Sequence, residues 1–513
     1  MAQMSVNNLT FCYEGSFDPV FEGVSFMVDT NWKLGFLGRN GKGKTTFLKL
    51  ILGKYEYSGS ISCNTVCDYF PYDIKSEYMQ LPASSFLDTL KPGCEDWKVL
   101  RELDKLDIDA EVLYRPFQTL SFGERTKVML AVLFSEENDF LLIDEPTNHL
   151  DQRAREIVKH YLSGKKGYIL VSHDRDLLDA CIDHVLVLNR RSIEVQAGNF
   201  SSWWENKSRK DAFAMAENEK HQREINKLKS AAEQTRKWAD KNEQTKIGFD
   251  PEKEPDRCIG TRSYIAAKTK KMQSRVKLLE TRLNHEIEEK EGLLCDIERP
   301  TDLRITPLQH YKDILIRANA YGLQYPDAAF PLFTDLSFTL QQGERVFLHG
   351  ANGCGKSSLI HAIRAHAGYA GGIASVMQET GTLQIASGLV ISYINQDTSW
   401  LSGSIREFCS KKGLEESLFC AVLRQLDLER EQFAKDMKEF SEGQKKKVLI
   451  AASLLTPAHL YIWDEPLNYI DVFSRMQIER LLLAAKPTML IVEHDVRFME
   501  QVATKVVEFK SHI

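Results

Sequence analysis

Apolar positions in this chain follow two different registers. Short, nearly unbroken apolar runs, such as Leu34-Gly35-Phe36-Leu37, Phe140-Leu141-Leu142-Ile143, Val346-Phe347-Leu348 and Leu460-Tyr461-Ile462-Trp463, read as buried strands of parallel sheet. Such strands are covered on both faces, so polar alternation is lost. The runs at 34 and 346 each lead through a glycine-rich turn into a helix-like segment, Phe47-Leu48-Lys49-Leu50 and Leu359-Ile360-His361-Ala362-Ile363. That alternation predicts an α/β fold, stated twice. Between the two statements the register changes. Ile225, Leu228, Ala232 and Thr235, then Met272, Val276, Leu279, Leu283 and Ile287, recur at three-and-four spacing. This predicts two amphipathic helices packed as an antiparallel coiled-coil hairpin. Gly248, Pro251 and Pro255 stop helices and leave an extended tip from about Ala239 to Gly260. The division expected is a first domain over 1–200, a helical linker over 201–299 and a second domain over 300–513.

Length and composition agree with several globular domains. At roughly 150 residues per domain, 513 residues exceed one core, and a chain 43% hydrophobic and 27% charged can bury sizeable ones. The net charge of −6 gives no global cationic field, so any attraction to nucleic acid must be local. Ten cysteines lie scattered with no Cys-x-x-Cys pair, which reads as reduced, mostly buried thiols. Met1 to Thr10 has neither a basic opening nor an apolar h-region, and no stretch nears the ~20 apolar residues of a membrane span. The expectation is a cytoplasmic protein without a membrane domain.

The repeat is one of chemistry as well as pattern. Gly38-Arg39-Asn40-Gly41-Lys42-Gly43-Lys44-Thr45 returns as Gly350-Ala351-Asn352-Gly353-Cys354-Gly355-Lys356-Ser357, both of the form G-x-x-x-x-G-K-[ST]. Glycines in such a loop let backbone N–H groups turn inward on phosphates. The lysine meets the β- and γ-oxygens, and the hydroxyl that follows ligates Mg²⁺. Thr46 and Ser358, next in line, open the helix whose N-terminus faces the nucleotide. Tyr13 precedes Lys44 by the same interval that separates Tyr325 from Lys356. Downstream, the apolar runs end in Asp144-Glu145 and Asp464-Glu465. The aspartates are placed to hold Mg²⁺, and the glutamates to orient and polarise water for attack on the γ-phosphate. His173 and His494 follow later apolar strands, and their recurrence after each acid pair makes them catalytic candidates.

Between loop and acids stand Leu120-Ser121-Phe122-Gly123-Glu124 and Phe440-Ser441-Glu442-Gly443-Gln444, again at matching spacing. With these, each half resembles the ATP-binding-cassette (ABC) ATPases. The resemblance implies two tandem ABC-type nucleotide-binding domains that bind ATP and Mg²⁺ and close head to tail in an intramolecular sandwich, the protein acting as a monomer. Ser121 and Gly123 would cap the nucleotide of the second half, and Ser441 and Gly443 that of the first. Tyr13 and Tyr325 would stack on adenine, and Asp151 and Asp471 would lie in loops that couple the halves. Gln396, in Ser392-Tyr393-Ile394-Asn395-Gln396, matches the glutamine that senses the γ-phosphate and Mg²⁺. Its first-half counterpart in Asp68-Tyr69-Phe70-Pro71-Tyr72 is Tyr72, so the two ATP sites are expected to be inequivalent.

From Arg262 to Arg282 the linker holds Arg262, Lys268, Lys270, Lys271, Arg275, Lys277 and Arg282 against the single acid Glu280. In an acidic protein this local stripe suits the phosphate backbone of structured RNA, although a solvated helix face would read the same way. Two cassettes, no membrane domain and a charged helical linker together resemble the ABC-F translation factors. Thr235-Arg236-Lys237-Trp238-Ala239-Asp240-Lys241, Thr245-Lys246-Ile247-Gly248-Phe249, Thr261-Arg262-Ser263-Tyr264 and Lys270-Lys271-Met272 resemble the Lsa-type, antibiotic-resistance branch. That likeness implies binding at the ribosomal E site, contact with large-subunit rRNA and P-site tRNA, and displacement of lincosamide, streptogramin A and pleuromutilin drugs. Trp238, Ile247 and Phe249 would act at the tip. A housekeeping ABC-F factor without drug protection, or the ATPase subunit of a transporter, stays open at this point. Chromosome-maintenance ATPases split one cassette around a far longer coil, whereas each cassette here is contiguous.

Overall fold

The computed structural model describes residues 3–13, 19–136, 140–148, 150–188, 193–244, 277–278, 281–282, 305–326, 330–369, 377–428 and 430–509. They belong to two compact units, one formed by Met1–Trp203 with Pro300–Ile513 and the other by Trp204–Arg299. The first unit holds both α/β halves, and the fold is mixed α/β in each.

The first half is built on a six-stranded sheet in the order Cys67–Phe70, Phe140–Asp144, Tyr168–Val171, Lys33–Leu37, His184–Leu188, Ile193–Ala197. All neighbours are parallel except the last pair. The second half repeats it as five parallel strands, Ile391–Ile394, Leu460–Asp464, Met489–Val492, Arg345–His349 and Lys505–Glu508. Each half adds a three-stranded antiparallel sheet, centred on Gln3–Phe11 and on Ile314–Gln324.

The apolar runs have no polar alternation because both faces of these sheets are covered. Phe347, Tyr461, Trp463, Met489 and Ile491 point into one core of the second half, whereas Val346, Leu348, Leu460, Ile462, Leu490 and Val492 point into the other. Side chains alternate across a strand, so successive residues feed opposite cores. Parallel order also brings the C-terminal ends of the central strands to one edge, where loops and helix N-termini gather.

Phe200–Gln244 is one helix of 45 residues, which starts in the first unit and supplies most of the described residues of the second. Ile225 is buried on it, and residues 277, 278, 281 and 282 are helical. The expected tip therefore begins later than Ala239. The stretch from 239 to 244 holds no glycine or proline, and nothing in it stops a helix before Gly248. Ile247, Phe249, the rest of the tip and most of the second hairpin helix with its basic stripe lie outside the described residues, as does the side chain of Trp238. Among the described residues no helix is long and apolar enough to cross a membrane.

Candidate functional site

The two phosphate loops are built alike. Gly43 and Gly355 cap the helices Lys44–Ile51 and Lys356–His366 with φ of 99° and 95°, a left-handed conformation natural to glycine. A Cβ on Gly43 would stand 2.5 Å from Val20 Cγ1, and one on Gly355 2.9 Å from Phe333 Cδ1, so both positions exclude a side chain. Gly41 and Gly353 also have positive φ, 80° and 79°. Lys44 Nζ donates to Gly38 O at 2.6 Å and Arg39 O at 3.1 Å. Lys356 Nζ donates to Gly350 O and Ala351 O, each at 2.8 Å. Both ammonium groups thus point into the curve of their own loops, and burial lowers the pKa of Lys44. The Tyr13 hydroxyl lies 2.5 Å from Thr46 Oγ1, and the Tyr325 hydroxyl 3.2 Å from Ser358 Oγ. Each tyrosine keeps part of its ring exposed at the start of the loop helix, where a base could stack.

The acid pairs stand at the ends of Phe140–Asp144 and Leu460–Asp464. Thr45 Oγ1 donates to Asp144 Oδ2 at 2.8 Å, and Ser357 hydrogen-bonds Asp464. A hydroxyl against a carboxylate at the phosphate loop is a donor set suited to Mg²⁺, and Asp464 Oδ1 is buried without a hydrogen-bond partner. The chain therefore fits the ion. Thr45 with Asp144, and Ser357 with Asp464, would hold it, and Mg²⁺ when bound neutralises charge on the terminal phosphates.

Glu145 and Glu465 take the next position with φ of 52° and 46°. Their backbone N–H groups still bond Val171 O at 2.9 Å and Val492 O at 3.0 Å, so the sheet holds them in a conformation that side-chain-bearing residues rarely adopt. Burial and the adjacent Asp144 push the Glu145 carboxyl up to about 8. His173 Nε2 lies 3.3 Å from Glu145 Oε1, and His494 Nε2 3.8 Å from Glu465 Oε1. Burial and the nearby Lys44 take His173 well below its ordinary value, and burial with Lys356 takes His494 to about 3. Both imidazoles are neutral at pH 7 and can offer one N–H and one lone pair. A carboxylate that draws a proton from water, with a neutral histidine at its side and a lysine at the phosphates, is equipped for in-line hydrolysis.

The sites differ where the sequence predicts. Gln396 Nε2 donates to Glu465 Oε2 at 2.9 Å, beside Asn468 Nδ2 at 2.7 Å on the same oxygen. Gln396 is thus placed on Glu465 rather than against Asp464. Tyr72 in the first half sends its hydroxyl to Asp68 Oδ2 at 2.5 Å. Its neighbour Tyr69 instead reaches Asp144 Oδ2 at 3.2 Å.

The signature serines open the helices Phe122–Leu133 and Glu442–Leu455 as capping boxes. Ser121 Oγ accepts from Glu124 N at 3.2 Å and Ser441 Oγ from Gln444 N at 3.3 Å, with the Glu124 and Gln444 side chains reaching back. Gly443 faces the other half: a Cβ there would meet Tyr469 O at 2.5 Å and Asn40 Nδ2 at 3.3 Å. Asn40 Nδ2 also donates to Tyr469 O at 2.6 Å, and Arg39 pairs with Asp427 at 2.6 Å. The first phosphate loop is therefore held against the second signature. For Gly123, Leu150 Cδ2 at 3.7 Å is the one described atom within reach of an added Cβ.

Around these contacts the halves are joined by ion pairs that sequence reading missed. Arg175 and Glu479 make a buried two-pronged pair, Nη1 to Oε2 at 3.1 Å, and Arg497 bonds Asp176 at 2.7 Å and Asp179 at 2.5 Å. Asp471, fully buried, caps Val472–Ala485 and lies 3.1 Å from Lys447. Asp151 caps Gln152–Ser163 in the same way. The capping boxes were legible as Ser-x-x-Glu and Ser-x-x-Gln, whereas nothing local marks partners 304 residues apart.

Comparison with known proteins agrees with this geometry. The ABC transporter family matches residues 21–148 and 333–468. The ribosome protection protein VmlR of Bacillus subtilis (strain 168) is 28% identical over 514 residues, which is 95% of this chain and 84% of that protein. ATP-binding protein Uup of Buchnera aphidicola is 27% identical over 98% of this chain and 80% of its own length. Among solved structures, an archaeal ribosome recycling factor, aABCE1, in complex with stalk protein aP1 shares the fold with a TM-score of 0.60 at 18% identity. It covers 98% of this chain and 88% of that one. Two phosphate loops, two acid pairs and two signatures on repeated α/β halves make the chain an ATP-hydrolysing member of the ABC transporter family, with two cassettes in one polypeptide.

Proposed function

We propose that this protein is an ATP-driven clamp that acts on the ribosome as a protection factor. The observation that carries the clamp is the seating of the first phosphate loop on the second signature, Asn40 against Gly443 and Tyr469. ATP bound by Lys44, Thr45, Thr46 and Tyr13, and by Lys356, Ser357, Ser358 and Tyr325, adds contacts that exist only when the halves are together, with Ser121, Gly123, Ser441 and Gly443 closing over it. Nucleotide then favours the closed form by its differential affinity. Hydrolysis at Glu145 and Glu465, with His173 and His494 beside them, removes that preference. ATP turnover therefore times how long the protein stays bound.

Likeness to VmlR over nearly the whole chain supports the ribosome as the partner. Under this reading the linker enters from the E site, meets large-subunit rRNA and P-site tRNA, and dislodges lincosamides, streptogramin A and pleuromutilins, with Trp238, Ile247 and Phe249 at the tip. Glu145→Gln with Glu465→Gln abolishes hydrolysis, keeps ATP binding and traps the protein on ribosomes. Failure of that double variant to co-sediment with ribosomes in ATP would refute the reading. Shortening the chain between Glu243 and Arg257 tests the drug role separately, since unchanged inhibitory concentrations in a sensitive host would leave a translation factor without drug protection.

A further inference from the structure

We propose that Tyr69 is a positioning residue of the first ATP site, holding the Asp144 carboxylate in the orientation that Mg²⁺ binding requires. The two halves carry tyrosines at matching places, three residues before Tyr72 and three before Gln396, but use them differently. The Tyr69 hydroxyl donates to Asp144 Oδ2 at 3.2 Å, and Thr45 Oγ1 donates to the same oxygen at 2.8 Å. Tyr393 in the second half donates instead to Asn395 Oδ1 at 3.2 Å, with the Arg364 guanidinium 4.0 Å from its ring centroid. The residue that differs between the sites at the following turn is the glutamine. Gln396 reaches Glu465, whereas Tyr72 is turned back to Asp68 on the preceding strand.

A side chain that donates to a metal-binding carboxylate fixes which oxygen and which angle the metal meets. Thr45 cannot supply this by itself. Once its own oxygen is a ligand, its proton is the one remaining tie on Asp144 from the loop, and a single hydrogen bond leaves the carboxylate free to swing. Tyr69 adds a second tie from a different element, the strand Cys67–Phe70, whose backbone pairs with Phe140–Asp144 along its length. Its ring is half-buried against the sheet edge of the site. The first site thus secures its carboxylate from the neighbouring strand, and the second site places its loop glutamine on Glu465.

This proposal rests on the ATP-site reading and not on the ribosomal one. Its test uses the full chain with Mn²⁺ as the probe, followed by electron paramagnetic resonance in the presence of ATP. In an Asp464→Asn background, which removes the second site's carboxylate, Tyr69→Phe weakens Mn²⁺ binding roughly tenfold. Binding of a fluorescent ATP analogue in chelator stays unchanged. The matching pair, Tyr393→Phe in an Asp144→Asn background, leaves Mn²⁺ binding where it was. Unaltered Mn²⁺ affinity in Tyr69→Phe would overturn the proposal. So would an equal loss in Tyr393→Phe, or an equal loss of metal-free nucleotide binding, since each would mean a general role in packing. Absence of Mn²⁺-dependent binding in the Asp464→Asn parent would overturn the ATP-site reading along with it.

Discussion

Removing Glu479 isolates a buried ion-pair tie between the two cassettes. Arg175 and Glu479 are 4% and 5% exposed, and they face each other from opposite halves. Burial already holds the Glu479 carboxyl above its ordinary value, even with Arg175 drawing it down. Glu479→Ala leaves the buried guanidinium without its hydrogen-bonded carboxylate, with Asp495 as the remaining buried acid nearby, and Arg175 Nε has no hydrogen-bond partner to begin with. Stranding one member of a buried pair costs about 3–5 kcal/mol, or roughly two to nearly four decades in an equilibrium constant. The cost falls on the closed form, because Arg175 regains water when the cassettes part. Apparent ATP affinity scales with the closed fraction, so it weakens by the same factor at most, and by at least about tenfold once water entry is allowed for. The assay is binding of a fluorescent ATP analogue to the Glu145→Gln, Glu465→Gln chain with and without Glu479→Ala. Replacing both partners, Arg175→Met with Glu479→Met, recovers most of the loss, since the double change leaves no stranded charge. Equal affinity in parent and single variant, or a double as weak as the single, would refute the reasoning.

Other perturbations test other parts. Asp471→Asn strands Lys447, 2% exposed, and destabilises the protein by about 3–5 kcal/mol in thermal or urea unfolding. Burial alone would raise the Asp471 carboxyl, but Lys447 and the Ser474 backbone N–H hold it far below the ordinary range. A depressed carboxylate contributes fully above its unfolded value of ~3.9 and loses its contribution as pH falls through the folded one. The gap between parent and Asp471→Asn is therefore constant from pH 7 to 5 and closes only in strong acid; a gap that closes near neutrality would contradict this. With the second site silenced by Glu465→Gln, hydrolysis at the first rises with pH and levels off near the value of about 8 to which Glu145 is pushed. A rate indifferent to pH between 6 and 9 would argue against Glu145 as the base. Gly43→Ala, at φ 99° and 2.5 Å from Val20 Cγ1, lowers stability by about 1–3 kcal/mol and weakens ATP binding at the first site, measured by melting with and without nucleotide.

What could be read from the sequence was what repeats or what is local. The loop Gly38–Thr45 and the strand ending in Asp144-Glu145 each need a fixed run of residue types in consecutive positions, and both occur twice. Tyr72 opposite Gln396 was visible for the same reason. Its consequence was not, because whether Tyr69 or Tyr72 reaches Asp144 depends on how the strand Cys67–Phe70 is turned against its neighbour. Arg175 and Glu479 carry no shared local pattern, so only the closing of the two halves brings them together. Helix Phe200–Gln244 ran past its expected end because helix formers such as Ala239 and Lys241 do not halt a helix merely because a tip is wanted.

Arg497 and Asp176 occupy the same place in their respective cassettes, second in the short helices Val496–Val502 and Arg175–Cys181 that follow each His-Asp pair. They meet across the two halves, Arg497 Nε 2.7 Å from Asp176 Oδ1. A first cassette facing another first cassette would set Asp176 against Asp176, and two second cassettes would set Arg497 against Arg497. Like charges that close disfavour each other, so this one position separates correct from incorrect partners. Duplicated cassettes in a crowded cell must choose among several nearly identical surfaces, and here the choice is written as a difference in sign at the seam. Reversing Arg497 alone would set a carboxylate against both Asp176 and Asp179, and make each half repel the partner to which it is tethered.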